Sequence, residues 1–338
     1  MKITLKTISE ESGLSITTVS RALAGYDDVN EETRQKIVSI AERLGYQPNL
    51  AARHLRSKHT QTVGMVIPLT SYFSDPFFME LLSGVGRQAA EYGYDLLLSA
   101  QQPGEDELNT YRRMVASSRI DGMVVARILK EDPRITFLKE ARHPFIVFGR
   151  SNANDYPYID VDGEAGMRAV VQHLTEMGHR RIALILSPRE LAFTSARYAG
   201  YVQGLRAAGI EPEETYLAEG TLSADSGHAA ALRLLDQTTP PTAIAACNDM
   251  MAIGAMQAVQ SSGLEVGRDI AVTGFDDIPP SAHAHPPLTT VRQPTYLIGR
   301  QALDMLIQVI RQEPLDQSHV LLMPELVIRE SSGTNRRR

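Results

Sequence analysis

From Thr62 onward, apolar runs of four to six residues alternate with amphipathic stretches, and this cadence limits the possible folds more than any other feature. The runs cover residues 63–68, 96–100, 122–126, 145–148, 182–186, 243–247 and 270–275. Short continuous apolar runs of this kind read as parallel strands buried on both faces. The segments between them read as helices, for example 78–91, 163–177, 195–208 and 250–262, several stopped by Gly93, Gly178, Gly209 or Gly263. The cadence occurs twice, over about 62–160 and 180–290, which predicts two doubly wound parallel-sheet subdomains with a cleft between them. Residues 320–329 read as a strand or strand pair, and 335–338 as a frayed tail.

A chain of 338 residues exceeds one small domain, and at 43% hydrophobic and 22% charged it has the balance of a globular protein. No stretch approaches the roughly 20 uncharged apolar residues of a membrane span, and the first seven residues lack the apolar core of a secretory signal. A cytoplasmic location is expected. The single cysteine, Cys247, excludes an internal disulfide and a multi-cysteine zinc site and reads as a core residue. No metal site, catalytic residue or cofactor is expected. The net charge of -6 conceals an asymmetry: residues 1–60 carry nine Lys/Arg against seven Asp/Glu, so the remainder is at -8. Contact with an anionic polymer belongs to the first sixth of the chain.

That segment reads as three short helices. Thr4 caps the first, Gly13 permits a sharp turn, and Ser15 caps a second over 16–24 with Val19 and Leu23 on its inner face. Asn30 caps the third, with Glu31 and Glu32 in its first turn and Ile37, Ile40, Ala41 and Leu44 turned inward. A helix, a glycine turn and a second helix with a polar start is the geometry that enters a DNA major groove. Ile16, Thr17 and Arg21 then face the bases: Arg21 as a fork for guanine O6 and N7, Thr17 as a bond or packing contact, Ile16 against a thymine methyl. Ser15, Thr18 and Ser20 suit phosphates. The competing reading is a plain helical bundle with a solvated Arg21.

Thr4-Leu5-Lys6-Thr7-Ile8-Ser9, Ser15-Ile16-Thr17-Thr18-Val19-Ser20-Arg21-Ala22-Leu23 and Leu44-Gly45-Tyr46-Gln47-Pro48-Asn49 together resemble the LacI/GalR family of bacterial transcription regulators. The resemblance continues in order through Gly178-His179-Arg180-Arg181-Ile182, Arg197-Tyr198-Ala199-Gly200-Tyr201, Cys247-Asn248-Asp249-Met250, Gly274-Phe275-Asp276-Asp277 and Pro287-Leu288-Thr289-Thr290-Val291, covering about residues 4–330. It implies an α/β protein with an all-α helix-turn-helix head over 1–48 and a hinge helix or linker over 49–61. An effector-binding and dimerisation domain, similar to periplasmic binding proteins, then spans 62–338. Its subdomains are expected at about 62–160 plus 291–320 and about 161–290 plus 321–330.

The resemblance makes Thr4, Asn49, Ala52, Leu55 and Arg56 further DNA contacts, with Leu55 the wedge in a central minor-groove step. The residues agree: 49–56 is two turns of weak helix with one long apolar side chain between Arg53 and Arg56, marginal until DNA repays its ordering. A plain linker is the alternative. In open α/β sheets ligands bind beyond the carboxyl ends of strands, where Arg127, Arg150, Asn248 and Asp276 fall. Arg197 sits in the first turn of a helix over 195–208, where a cation opposes the dipole and needs another reason. The resemblance supplies it: Arg197, Asn248 and Asp276 match effector-contacting positions. Asp249 reads as a helix N-cap rather than a ligand. Phe77 is the aromatic expected to stack on a sugar face, with Phe78 in the core. Leu191 stands where purine-binding relatives carry a cation, which favours a neutral saccharide. Arg127 and Arg150 leave the choice open, since they can meet a sugar acid or form ion pairs with Asp132 or Asp160.

The reading is a sequence-specific DNA-binding regulator, a repressor, controlled by a mono- or disaccharide in the cleft. Its partners are a pseudo-palindromic double-stranded operator and a second copy of the chain in a homodimer, with no membrane contact. An α/β enzyme is the first alternative, but the chain lacks GxxxxGK[ST], a GxGxxG after the first strand, GxSxG and HExxH. A solute-binding protein is the second, and the helical head argues against it.

Overall fold

The computed structural model describes residues 3–46, 59–68, 76–102, 105–151 and 155–333. The chain separates into two compact units, Met1–His59 and Thr60–Arg338.

The first unit holds α1 (Leu5–Ser12), α2 (Ile16–Leu23) and α3 (Glu31–Leu44). Its ends are set locally. Gly13 takes φ 73 after α1, the Ser15 hydroxyl accepts from Thr18 N–H at 3.1 Å, and Asn30 Oδ1 accepts from Thr33 N–H at 2.7 Å. Ile8, Val19, Ala22, Ile37, Ile40 and Ala41 pack into one small core.

The second unit contains two parallel sheets, as the repeated cadence predicts. Its elements are β1 (Thr62–Pro68), α4 (Pro76–Glu91), β2 (Asp95–Gln101), α5 (Glu105–Ala116), β3 (Gly122–Val125), α6 (Pro133–Glu140), β4 (Phe145–Phe148), β5 (Tyr158–Val161), α7 (Gly163–Glu176), β6 (Ile182–Leu186) and α8 (Ala192–Ala207). They continue with β7 (Leu217–Glu219), α9 (Ala224–Leu235), β8 (Ala243–Ala246), α10 (Asp249–Ser261), β9 (Ala271–Thr273), α11 (Pro279–His283), β10 (Thr290–Arg292), α12 (Thr295–Ile310), β11 (His319–Leu322) and β12 (Glu325–Val327).

The first sheet runs β11-β5-β4-β3-β1-β2 and the second β7-β6-β8-β9, with parallel pairing throughout both. Each reverses its winding at an inner pair, β1/β3 and β6/β8, the position where open α/β sheets form a ligand crevice. β3, β6 and β8 are buried at every residue, which is why they read as unbroken apolar runs.

The chain passes between the subdomains three times: from β5 into α7, from β10 into α12, and from β11 into β12. The expected strand pair over 320–329 is two strands that do not pair with each other. β11 lies parallel to β5 through Leu322↔Val161, so the first sheet extends past the expected limit at 320. β12 instead pairs antiparallel with β10. Helices cross closely through glycines: a Cβ on Gly254 of α10 would lie 1.9 Å from Ala224 O on α9, and one on Gly200 of α8 would lie 2.2 Å from Glu164 O on α7.

Candidate functional site

In the head, the start of α2 is open to solvent. Ile16 is 47% exposed, Thr17 and Ser15 are exposed, and the Ser15 and Thr18 hydroxyls lie 2.9 Å apart. Arg21 is also exposed, but it is paired: Nη2 stands 2.5 Å from Asp28 Oδ2, and Cζ lies 4.9 Å from the Tyr26 ring centre. Thr4 is exposed ahead of α1. Ser20 departs from its reading as an open phosphate contact, because packing within the head leaves it only 7% exposed. Asn49, Ala52, Leu55 and Arg56 lie outside the described residues.

In the second unit, a cavity of about 560 Å³ opens between the carboxyl ends of the two sheets, within the ~300–1,000 Å³ range of small-molecule sites. Arg127 and Arg150 line it from two residues beyond β3 and β4, and Asn248 and Asp276 from just beyond β8 and β9. Phe77, in the first turn of α4, is also on the wall, with its ring 5.9 Å from that of Phe148 and inclined by 24°. Phe78, expected in the core, both packs on the core and borders the cavity.

Arg197 is the most constrained side chain of the wall. Its Cζ lies 3.8 Å from the Phe275 ring centre and 4.5 Å from that of Phe193, Nη1 donates to Cys247 O, and Nη2 stands 3.5 Å from Asp276 Oδ1. Its Nε is buried without a hydrogen-bond partner among the described residues. The helix carrying it begins at Ala192, three residues earlier than expected, so Arg197 occupies the second turn rather than the first. The aromatic sandwich and the Asp276 carboxylate, rather than a contest with the helix dipole, account for its placement.

Asp276 accepts from Gln293 Nε2 at 2.6 Å and holds φ 127, a backbone region an L-residue rarely occupies. Asn248, rather than Asp249, caps the helix, and Asn248 also lines the cavity. Asn248 is the N-cap of α10, its Oδ1 accepting from Met251 N–H at 3.0 Å while Nδ2 donates to Leu222 O at 3.1 Å. Asp249 is fully buried and accepts from Ile278 N–H at 2.9 Å, Ser281 Oγ at 2.6 Å and Thr290 Oγ1 at 2.5 Å, so it fastens α10 to α11 and β10. The extended φ of -152 at Asn248 puts the cap one residue before the position expected.

Arg150 pairs with Asp160 at 3.1 Å and reaches Asp162 at 3.9 Å. Burial pushes the Asp160 carboxyl up to about 6 in spite of that pair. Asp132 is taken by Arg134, whose Nε and Nη2 donate to it at 2.9 and 2.6 Å and whose Nη1 pairs with Glu107. Leu191 is buried and lines a neighbouring cavity. There, Ala192 N–H donates to Ile128 O and Lys130 N–H to Glu190 O, both at 2.9 Å, tying the two subdomains together beside the cleft.

A family model described as bacterial regulatory proteins, lacI family, matches residues 4–49, and one for a periplasmic binding protein-like domain matches residues 171–332. The HTH-type transcriptional regulator AglR of Rhizobium meliloti (strain 1021) is 35% identical over 339 residues, covering 98% of this chain and 95% of that one. CelR of Thermobifida fusca is 35% identical over 335 residues, covering 97% and 98%. The chain belongs to the LacI family. Like the other members it is a DNA-binding transcription regulator, and the relatives it matches are regulators rather than enzymes. Among solved LacI-family structures, the lac repressor dimer bound to operator and the anti-inducer ONPF superposes with a TM-score of 0.88 at 29% identity, covering 99% of this chain and 100% of that one. A CelR–cellobiose complex gives 0.76 at 33% identity, covering 97% and 99%. Among the described residues of this LacI-family chain, no helix is long and apolar enough to cross a membrane.

Sequence reading missed Phe193, Phe275 and Gln293 as members of the site. Phe275 lay in view within Gly274-Phe275-Asp276-Asp277, whereas nothing local to Phe193 or Gln293 marks either one.

Proposed function

We propose that this regulator is a cytoplasmic, homodimeric repressor, without catalytic activity, whose cleft binds a mono- or disaccharide. The observation that carries the reading is Arg197: a guanidinium held between two aromatic rings on the cavity wall, with a buried Nε still lacking a partner. A hydroxyl-bearing ligand satisfies that donor, and Asp276 beside it accepts hydroxyl protons. Phe77 supplies an aromatic surface for a sugar face. The solved CelR complex with cellobiose, in a structure that superposes over nearly the whole chain, supports the same ligand class. The exposed Met79 and Leu297, on the packed helices α4 and α12, support a dimer surface.

Regulation follows from linkage. A saccharide that favours one closure state of the two subdomains shifts the protein toward it and changes operator affinity by the difference in its binding energy to the two states. In this reading α2 enters the major groove, with Ile16, Thr17 and Arg21 on base edges. Ser15 and Thr18 meet phosphates, and Thr4, Asn49, Ala52, Leu55 and Arg56 add further contacts. The test is a protection footprint on DNA upstream of the gene, repeated with a panel of neutral and acidic saccharides. A palindromic footprint that one saccharide shifts supports the proposal, and a footprint indifferent to every saccharide refutes the effector class.

A further inference from the structure

Among the described residues the cavity wall carries three arginines, two of which pair with a carboxylate. Arg150 is held by Asp160 at 3.1 Å and Arg197 by Asp276 at 3.5 Å. The third acid of the wall, Glu164, accepts from Gln203 at 2.8 Å. Arg127 makes no side-chain hydrogen bond or ion pair among the described residues, although it is half-buried. Arg134 takes both Asp132 and Glu107, and Glu190, whose charge also acts on Arg127, makes no ion pair with it among the described residues. Burial lowers the proton affinity of the Arg127 guanidinium, with Arg134 adding to the fall and the charges of Glu107, Glu190 and Asp132 opposing it. Its backbone holds φ 53, a left-handed conformation uncommon for a long side chain and found disproportionately at ligand-binding positions.

Resting on the proposal that the cleft binds a saccharide, we infer that the effector is an acidic one, a uronate or aldonate whose carboxylate pairs with Arg127. A guanidinium offers a planar fork that matches a carboxylate in two parallel bonds, which a neutral sugar does not use. One unmatched cation answers one negative charge. A phosphate dianion would bring a second charge to a wall that already holds Asp160, Glu164 and Asp276, so the carboxylate is the better fit.

The experiment is calorimetric titration of the full-length protein with glucose, glucuronate, glucose 6-phosphate, cellobiose and cellobionate, paired with operator binding in each sugar. Wild type is expected to bind an acid at least ten-fold more tightly than its neutral parent. Arg127→Gln removes that preference, and Arg127→Lys retains part of it. Unchanged melting temperatures of both variants exclude misfolding as the cause, and if Arg127→Gln melts lower, Arg127→Lys alone decides. A neutral sugar bound as tightly as its acid, a preference that survives Arg127→Gln, or a preference for glucose 6-phosphate over glucuronate overturns the inference. Neutral sugars that bind and shift operator affinity with no preference for acids leave the saccharide reading standing and remove only the role of Arg127. Absence of binding by every sugar overturns both.

Discussion

The Arg197 guanidinium lies 3.8 Å from the centre of the Phe275 ring, on a side chain only 8% exposed. This contact joins the second turn of α8 to the loop beyond β9 and fixes the cation at the floor of the cleft. A planar, weakly hydrated ion suits an aromatic face, and a compact ammonium does not replace it. Arg197→Lys is therefore expected to weaken effector binding by at least ten-fold, about 1.4 kcal/mol, while operator binding without effector persists. Titration of the best ligand from the saccharide panel checks the first part and a gel-shift assay the second. Wild-type affinity in the lysine variant would remove the fork and stack of Arg197 from the site.

Arg21, proposed to read a base, is paired with Asp28 in the structure. The pair is exposed on both sides, so it is worth little by itself. Arg21→Ala should cost on the order of 1–3 kcal/mol on the operator and relax preference at one base pair per half-site. Asp28→Asn should tighten binding by releasing the guanidinium. Equal losses on operator and random DNA in Arg21→Ala would make it a phosphate contact instead.

Asp160 predicts a pH effect. Its carboxyl is raised to about 6 by burial, against the opposing pull of Arg150 and Arg197, with Asp162 adding to the rise. A group whose pKa is raised in the fold stabilises the native state below its unfolded value, near 4, and that contribution is lost as pH rises through about 6. Asp160→Asn cannot ionise. The melting temperature of this variant minus that of wild type should therefore increase between pH 4.5 and 7, and a constant difference across that range would contradict the assignment.

The α9/α10 crossing predicts a stability effect. Gly254→Ala places a methyl 1.9 Å from a backbone oxygen that cannot rotate away. Overpacking of this kind costs about 1–3 kcal/mol, and thermal unfolding should show it as a clear drop in melting temperature. An unchanged melting temperature would mean that the two helices slide apart freely.

The elements were largely legible where their causes are local. Ser15 and Asn30 cap helices through the residue three positions on, and Gly13 turns the chain by its own φ. β3, β6 and β8 announce themselves as unbroken apolar runs. The start of α8 was not legible, because its N-cap is Leu191, a residue with no side-chain oxygen to signal it. β5 was not marked among the apolar runs either, since Asp160 interrupts it.

For the site, the residues that stand at strand ends were readable along the chain, because strand, turn and helix depend on neighbours a few positions apart. The sequence offered Arg127, Arg150, Asn248 and Asp276 as candidates at strand ends, Asn248 and Asp276 also through the family resemblance. Their states come from the packed fold: Arg150 is taken by Asp160, Asn248 by its own helix, and Arg197 by Asp276 and two rings, while Arg127 makes no ion pair among the described residues. These pairings depend on sheet order and on three crossings between subdomains. Burial then makes each pairing matter, since a charge taken from water must find a partner in the fold or in a ligand.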